Sequence, residues 1–505
     1  MPVDQLQIKN ITFQYDGMNT NLFENFSVDL PKGWTGVIGA NGSGKTTLLK
    51  IAAGLLIPSR GSVNGSSRRL YCEQRTDFPP TNFQDFILDA EPECWKLKNA
   101  LKVDYEWLDR WNSLSHGERK RVQIGAALYQ LPYILAVDEP TNHLDSEAST
   151  LLTKTLETFE GIGLIVSHKR EILDLLCERC IIIDSLGIRM YPGSYSKAIE
   201  CMKLEEKSAL KTYNCLQKER RQMEIEAAKH MHKASQAKKI VSKNGLNIKD
   251  HDARFKRNAA RISGKDGVSG QRLKSVESKI RQKSQQLKKI KIKKQSKQGI
   301  HINVEAIGKT FLLSIPSGEI TLGNKQRLIF PRLSLRRLDR IGLVGPNGSG
   351  KTTILKYILL HMDHMKDKIV YIPQEINAAK GEDVLNELKS INPSLLGRMM
   401  TIVSRLGSEP EQLLMSQSPS PGELRKCMLA LGMLKTPQLI VMDEPTNHMD
   451  LPSLVALEKA LDECKCGLFL ISHDQHFLEN LKVVKWKIMT TNKTSINEVI
   501  CEKSS

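Results

Sequence analysis

The loop Gly-x-x-x-x-Gly-Lys-Thr occurs twice in this chain of 505 residues. It reads Gly39-Ala-Asn41-Gly42-Ser-Gly44-Lys45-Thr46 in the first half and Gly345-Pro-Asn347-Gly348-Ser-Gly350-Lys351-Thr352 in the second. Each copy follows an apolar run (Gly36-Val-Ile; Ile341-Gly-Leu-Val) and opens a helix-like stretch at Thr47 or Thr353. That strand–loop–helix setting is the one in which the motif cradles phosphate. Its glycines let backbone N–H groups crowd round phosphate oxygens, and the helix N-terminus adds a favourable dipole. Lys45 and Lys351 are placed to reach the outer phosphates, and the hydroxyls of Thr46 and Thr352 suit Mg2+.

A chain of this length has room for two to four domains. No apolar run approaches the roughly 20 residues needed to span a bilayer, and the N-terminus lacks the basic-then-apolar pattern of a signal peptide. Ten scattered cysteines suit a reducing cytoplasm. Cys177 and Cys180 form one isolated Cys-x-x-Cys with no second pair at metal-site spacing, which reads as packing at a helix-to-strand junction. The formal charge is +18, and its location matters more than its size. Residues 201–300 hold 28 Lys and Arg against 9 Asp and Glu, which leaves 46 basic and 47 acidic residues for the rest of the chain.

Three parts follow: residues 1–200, a connector at 201–300, and 301–505. The repeat of about 300 residues suits duplicated domains, not a solenoid. Alternating strand-like and helix-like segments in each half predict an α/β fold with a mainly parallel sheet. The connector from about Ser196 to Ile240 lacks Gly and Pro and is rich in strong helix formers. A basic, Gly-containing stretch runs from Asn244 to Gly267, and Gln271 to about Lys294 again reads as helical. Two helices with a basic tip near 241–270 form a hairpin projecting on the order of 40–60 Å. A mere spacer needs no sign bias, whereas this segment has about three basic residues for each acidic one.

Each half carries an apolar strand ending in two acids: Ile134-Leu-Ala-Val-Asp138-Glu139 and Leu439-Ile-Val-Met-Asp443-Glu444. The aspartate can hold Mg2+ through water. The glutamate can polarise an attacking water as general base, worth about 10²- to 10⁴-fold in rate. Both continue as Pro-Thr-Asn-His, and a further strand ends in Ser-His, at His168 and His473, where a histidine can bind a terminal phosphate. The spacing supports that role, since Asp138 to His168 and Asp443 to His473 are both 30 positions. Upstream by 23 from each aspartate stand Ser115-His-Gly117-Glu118 and Ser420-Pro-Gly422-Glu423, a serine and a glycine at a helix start that can bind an anion. Gln74 and Gln374 lie between loop and serine, where a γ-phosphate or Mg2+ sensor belongs.

This set, in order and twice, resembles the ATP-binding cassette proteins: Walker A, Q-loop, signature, Walker B, D-loop and H-switch. Two cassettes without a membrane domain, Asp-Glu-Pro-Thr-Asn-His in both, and a long basic connector resemble the ABC-F family over nearly the whole chain. The resemblance implies two tandem P-loop nucleotide-binding domains joined by a basic helical hairpin. It implies a cytoplasmic ATPase that works as a monomer, binds the ribosome with ATP and Mg2+ at the tRNA exit site, and reaches the peptidyl-tRNA in the P site and the peptidyl-transferase centre. In such proteins two ATP molecules lie between the cassettes head to tail. Ser420 and Gly422 would then complete the Lys45/Glu139 site, and Ser115 and Gly117 the Lys351/Glu444 site. Tyr15 is the candidate adenine-stacking ring at the first site, with Phe311 the nearest counterpart in the second.

Two departures carry expectations. Pro419 and Pro421 stand where the family has Leu and Gly. Proline fits the first helical position, but its lost N–H and fixed φ disturb the contact with the nucleotide at the first site, so unequal hydrolysis is expected. Gln74 to Ser115 spans 41 positions and Gln374 to Ser420 spans 46, which leaves no room for the extra arm of the housekeeping members. The absent arm and long basic connector look more like the antibiotic-resistance members that protect ribosomes. Arg254, Phe255, Lys256, Arg257, Arg261 and Lys265 are the candidate RNA contacts. A general factor that relieves stalled ribosomes fits the same residues. A transporter motor with separate membrane chains explains the cassettes but not the connector. A DNA-repair ATPase of the damage-sensor type lacks support without paired Cys-x-x-Cys zinc modules.

Overall fold

Short apolar runs set the sheets. Ile134–Asp138, Ile162–Val166, Leu439–Asp443 and Gly467–Ile471 are buried at every position, as parallel strands covered on both faces must be. In the computed structural model, the residues described are 5–17, 20–142, 144, 146–241, 265–290, 311–322, 326–408, 413, 419–447, 449–491 and 496–501. Contacts divide the chain into one unit of Met1–Ala198 with Gln295–Ser505, and another of Ile199–Lys294.

The first cassette has a six-stranded sheet in the order Arg69–Cys72, Ile134–Asp138, Ile162–Val166, Gly33–Gly39, Cys177–Asp184, Gly187–Pro192. All neighbours are parallel except the last pair. The second cassette repeats this strand for strand, as Ile369–Ile372, Leu439–Asp443, Gly467–Ile471, Arg340–Val344, Val484–Thr491, Ile496–Cys501. Its sheet then continues into Arg327–Phe330 and Gly318–Thr321. In both, the strand that feeds the phosphate loop lies beside the strand that ends in Ser-His, and the strand ending in two acids lies one further out. Loop, histidine and acids therefore emerge together at the carboxyl ends of the sheet, where open α/β sheets bind ligands.

The helix Lys45–Ala52 buries Leu48, Leu49, Ile51 and Ala52 in one cluster with Leu6, Ile8 and Phe23 of the antiparallel sheet and Leu164 and Ile181 of the parallel one. Each large side chain so buried stabilises by about 1.5–3 kcal/mol. Between Gln74 and Ser115 the described chain forms only the helices Phe83–Leu88 and Pro92–Ala100 and two 3₁₀ turns. Phe83, Phe86, Trp107 and Trp111 pack there against Val122 of the helix His116–Tyr129. A Cβ on Gly125 would come 2.6 Å from the Phe86 ring, so the close approach of helix and ring demands glycine. The second cassette packs Val384, Met399 and Val403 against Cys427 of Pro421–Leu434 in the same way.

Cys177 and Cys180 are both buried against the phosphate-loop strand: a Cβ on Gly36 would lie 3.1 and 3.4 Å from their sulfurs. Burial pushes the Cys180 thiol up to about 12 and Cys177 well above its ordinary value, so neither offers a reactive thiolate.

The other unit is entered at Ile199, within Tyr195–Val241, a single helix of 47 residues, about 70 Å long at 1.5 Å per residue. Its start and end lie within one residue of those expected from the absence of Gly and Pro. The second helix is Lys265–Lys289, opening six positions before Gln271. Gly267 and Gly270 lie within it, each costing about 1 kcal/mol against alanine, which is why the sequence reads as loop there. Lys283 and Glu219 pair at 2.8 Å across the two helices. Of the candidate RNA contacts, Arg254, Phe255, Lys256, Arg257 and Arg261 lie outside the described residues, and Lys265 opens the second helix.

Candidate nucleotide sites

Both phosphate loops need glycine where the chain turns left-handed: Gly42 and Gly348 at φ +77°, Gly44 at +96° and Gly350 at +97°. A Cβ on Gly44 would also sit 2.8 Å from the Phe23 ring. The loop curls about its own lysine. Lys45 Nζ donates to the carbonyls of Gly39 and Ala40, both at 3.0 Å, and Lys351 Nζ to those of Gly345 and Pro346, both at 2.9 Å. Burial lowers the Lys45 pKa, while Glu139, Asp450 and Asp138 pull it back up. Thr46 Oγ1 donates to Asp138 Oδ2 at 2.6 Å, and Thr352 Oγ1 to Asp443 Oδ2 at 3.2 Å. Tyr71 also donates to Asp138 Oδ2, at 3.1 Å. Tyr71 and Tyr371 each stand three positions before the loop glutamine, a shared offset that could have flagged the hydroxyl contact. Burial raises the pKa of both aspartates, with the threonine hydroxyls opposing it.

Beyond each aspartate the backbone turns sharply. Glu139 and Glu444 have φ of 46° and 48°, a left-handed conformation that costs a side-chain-bearing residue about 1–2 kcal/mol. The turn is held by the next strand, since the Glu139 N–H donates to Val166 O and the Glu444 N–H to Ile471 O, both at 2.9 Å. This aims each carboxylate at the histidine ending that strand. His168 Nε2 lies 3.0 Å from Glu139 Oε1, and His473 Nε2 lies 3.4 Å from Glu444 Oε1 and 3.2 Å from Asn347 Oδ1. The two acids nonetheless differ. For Glu139, burial raises the pKa but His168 outweighs it, leaving the carboxyl below its ordinary value. For Glu444, burial raises the pKa to about 7, even against the pull of Lys351.

A stability difference follows. A carboxyl whose folded pKa lies above its unfolded value costs stability in its charged form. The cost grows as pH rises from about 4.5 to 7 and is full above 7. Glu444→Gln removes it. In nucleotide-free protein with metal chelated, the variant is expected to gain about 3 kcal/mol at pH 8 and nothing at pH 4.5. Glu139→Gln should show no such gain. Calorimetric melting at both pH values reads the difference.

Ser115 and Ser420 cap the signature helices, each in a reciprocal box with Glu118 or Glu423. Pro421 takes the first helical position, where its missing N–H has no partner to lose. Five positions beyond each serine is a buried cation that sequence reasoning did not single out. Lys120 Nζ donates to the carbonyls of Glu73 and Gln74, at 2.6 and 3.4 Å. Arg425 donates to the carbonyls of Gln374 and Asn447. Burial brings the Lys120 pKa down to about 8. In both cassettes the signature helix is thus tied to the backbone of the glutamine loop. The matching offset of two basic residues was the available signal.

The cassettes meet directly. Asp450 accepts the backbone N–H of Asn41 in the first phosphate loop at 2.7 Å with Oδ2, and that of Ser453 at 2.8 Å with Oδ1. Arg170 pairs with Glu458 at 2.9 Å, both nearly buried. A cavity of about 530 Å³ opens at the second loop. Asn347, Gly348, Gly350, Lys351, Thr352, Thr353, Gln374, Asp443, Glu444 and His473 line it from the second cassette, and Thr141, Asn142, Leu144, His168 and Lys169 from the first. Ser115 and Gly117, expected to complete this site, are not on its wall. A Cβ on Gly117 would meet Leu144 at 3.2 Å, so the signature stands one side chain behind the lining. At the first loop, Tyr15 shares a hydrogen bond with Thr47 Oγ1 at 2.8 Å and packs edge-on to Phe13. Ser420 is exposed and Gly422 buried.

The family model described as ABC transporter matches residues 23–142 and 328–447. The chain is 25% identical over 517 residues to the ribosome protection protein VmlR of Bacillus subtilis (strain 168), covering 97% of this chain and 88% of that one. It is 25% identical over 558 residues to ABC transporter F family member 2 of Arabidopsis thaliana, covering 94% and 75%. Among solved structures, the archaeal ribosome recycling factor aABCE1, in complex with the stalk protein aP1, aligns over 97% of this chain and 89% of its own with a TM-score of 0.61 at 17% identity, a likeness of fold. No helix among the described residues is long and apolar enough to cross a membrane. With a matched cassette in each half, the chain is an ATP-hydrolysing protein of two tandem ATP-binding cassettes, similar over nearly its full length to proteins of the ABC-F type.

Proposed function

We propose that this protein is an ATP-driven ribosome-binding factor, with cassettes at 1–200 and 301–505 and an RNA-binding connector at 201–300. The observation that carries the reading is the concentration of charge: the connector holds the whole positive excess of the chain while the cassettes are neutral together. A segment that meets RNA phosphates needs that sign bias. Similarity to the ribosome protection protein VmlR supports it. On this reading the factor acts at the tRNA exit site, its connector meets ribosomal RNA and the P-site tRNA, and its role is protection against drugs at the peptidyl-transferase centre.

At each nucleotide site the loop lysine and N–H groups bind the phosphates, Glu139 or Glu444 is the general base, and His168 or His473 meets the terminal phosphate. Mg2+ fits the donor set: a threonine hydroxyl and an aspartate oxygen converge within hydrogen-bond distance in both cassettes, hard oxygen ligands that leave the remaining positions to phosphate and water. Gln74 and Gln374 are second contacts to that ion or the γ-phosphate.

The test is one purification. The Glu139→Gln, Glu444→Gln protein should co-sediment with ribosomes in ATP and not in ADP. Removing residues 241–270 from it should abolish co-sedimentation, while the same deletion in the unsubstituted protein should leave ATP turnover in place. A doubly substituted protein that stays at the top of the gradient in ATP defeats the ribosome reading, and a susceptibility panel against drugs of the peptidyl-transferase centre checks the protective role.

A further inference from the structure

We propose that Lys169, in the first cassette, is a phosphate-binding residue of the nucleotide site in the second. The two cassettes differ at this position. After His473 comes Asp474, whose carboxylate caps the helix Gln475–Asn480 by accepting the Phe477 N–H at 2.8 Å. After His168 comes Lys169, at the same place before the helix Arg170–Leu176, and no side chain caps that helix. An ammonium has only donors and cannot do so. The position that serves local structure in one cassette holds a cation in the other.

That cation has a place of its own. Lys169 lines the cavity at the second loop, together with Lys351, Thr352, Gln374, Asp443 and Glu444, the residues gathered round the phosphate end. Its Nζ lies 3.4 Å from Ser149 Oγ, which anchors the chain to the helix Ser146–Glu157 of the first cassette. It is near enough for its charge to act on Glu444. Lys351 acts on both Asp443 and Glu444, which offset its charge, so a Mg-triphosphate entering there gains from a further positive charge. Lys169 supplies it from across the interface, and the chain position it occupies is three residues from the last residue of the strand that delivers His168. A phosphate seated at the second loop is thereby bonded to both cassettes.

The proposal rests on the Lys351 loop being an ATP site, and the experiment separates the two. Mg-ATP is titrated by calorimetry into full-length protein carrying Lys45→Ala, so that the second loop dominates binding, or Lys351→Ala, so that the first does. In the Lys45→Ala protein, Lys169→Ala is expected to weaken ATP binding about tenfold, the change that 1.4 kcal/mol makes, while Lys169→Arg stays within about threefold because it keeps the charge. In the Lys351→Ala protein, Lys169→Ala should leave ATP affinity unchanged. Unchanged affinity in the Lys45→Ala protein, or an equal loss in both backgrounds as a folding defect would give, overturns the proposal. ATP binding that survives Lys45→Ala with Lys351→Ala overturns the site reading itself, and the proposal with it.

Discussion

Exchanging Glu139 and Glu444 together for glutamine is expected to lower ATP turnover about 10²- to 10⁴-fold while nucleotide still binds. Both side chains are almost fully buried, at 5% and 7% exposure, and both stand on a left-handed residue locked to the neighbouring strand. Glutamine has the same length and can follow the same turn, so the site keeps its shape and loses only a group able to take a proton from water. The single variants should not be equal. On the head-to-tail pairing expected from the sequence, the first site faces the signature that carries Pro419 and Pro421, while the wall of the second includes Lys169. Glu444→Gln should therefore leave less residual turnover than Glu139→Gln. Steady-state phosphate release from the three variants reads this directly, and equal residual rates for the two single variants would speak against unequal sites.

The second large effect concerns salt. If the connector neutralises 6–10 RNA phosphates, affinity for the ribosome should fall on the order of 10³- to 10⁵-fold between 50 and 200 mM monovalent salt. Its 28 basic residues are ample for that number. Residues 241–270 contain seven Lys and Arg, and each phosphate contact removed should flatten the log–log slope by about 0.7–0.9. Filter binding of the doubly substituted protein, with and without those residues, measures both slopes. A shallow dependence in the intact protein would mean that the charge of the connector is not spent on phosphate.

Much of each nucleotide site was legible because its chemistry is carried by short motifs at fixed spacing. The loop lysines, the paired acids and the histidines fall together because three neighbouring strands end at one edge of the sheet, and alternating apolar runs announced those strands. The contacts that join distant segments were not legible. Asp450 reaches Asn41 across 409 positions, and nothing local marks an aspartate as a partner for another cassette's backbone. Nothing local marks Lys169 as part of the second site, because it lines that cavity only from across the interface. Nothing in the sequence separates Lys120 and Arg425 from their basic neighbours, because burial of a cation is decided by what packs over it. The start of the second connector helix was missed because glycine argues for loop on propensity, and a continuing helix can carry two of them at a modest cost.

Lys120 and Arg425 hold equivalent places with unequal grips. An ammonium presents three donors from one atom and can pivot about its bonds. A guanidinium is a flat fork, and Arg425 spans two separate backbone segments, at Gln374 and Asn447. Arg425 therefore clamps its signature helix to two backbone segments, while Lys120 ties the first to a single stretch, Glu73–Gln74. If these cations carry nucleotide-driven movement from the glutamine loop to the signature helix, the linkage is expected to be stiffer in the second cassette than in the first.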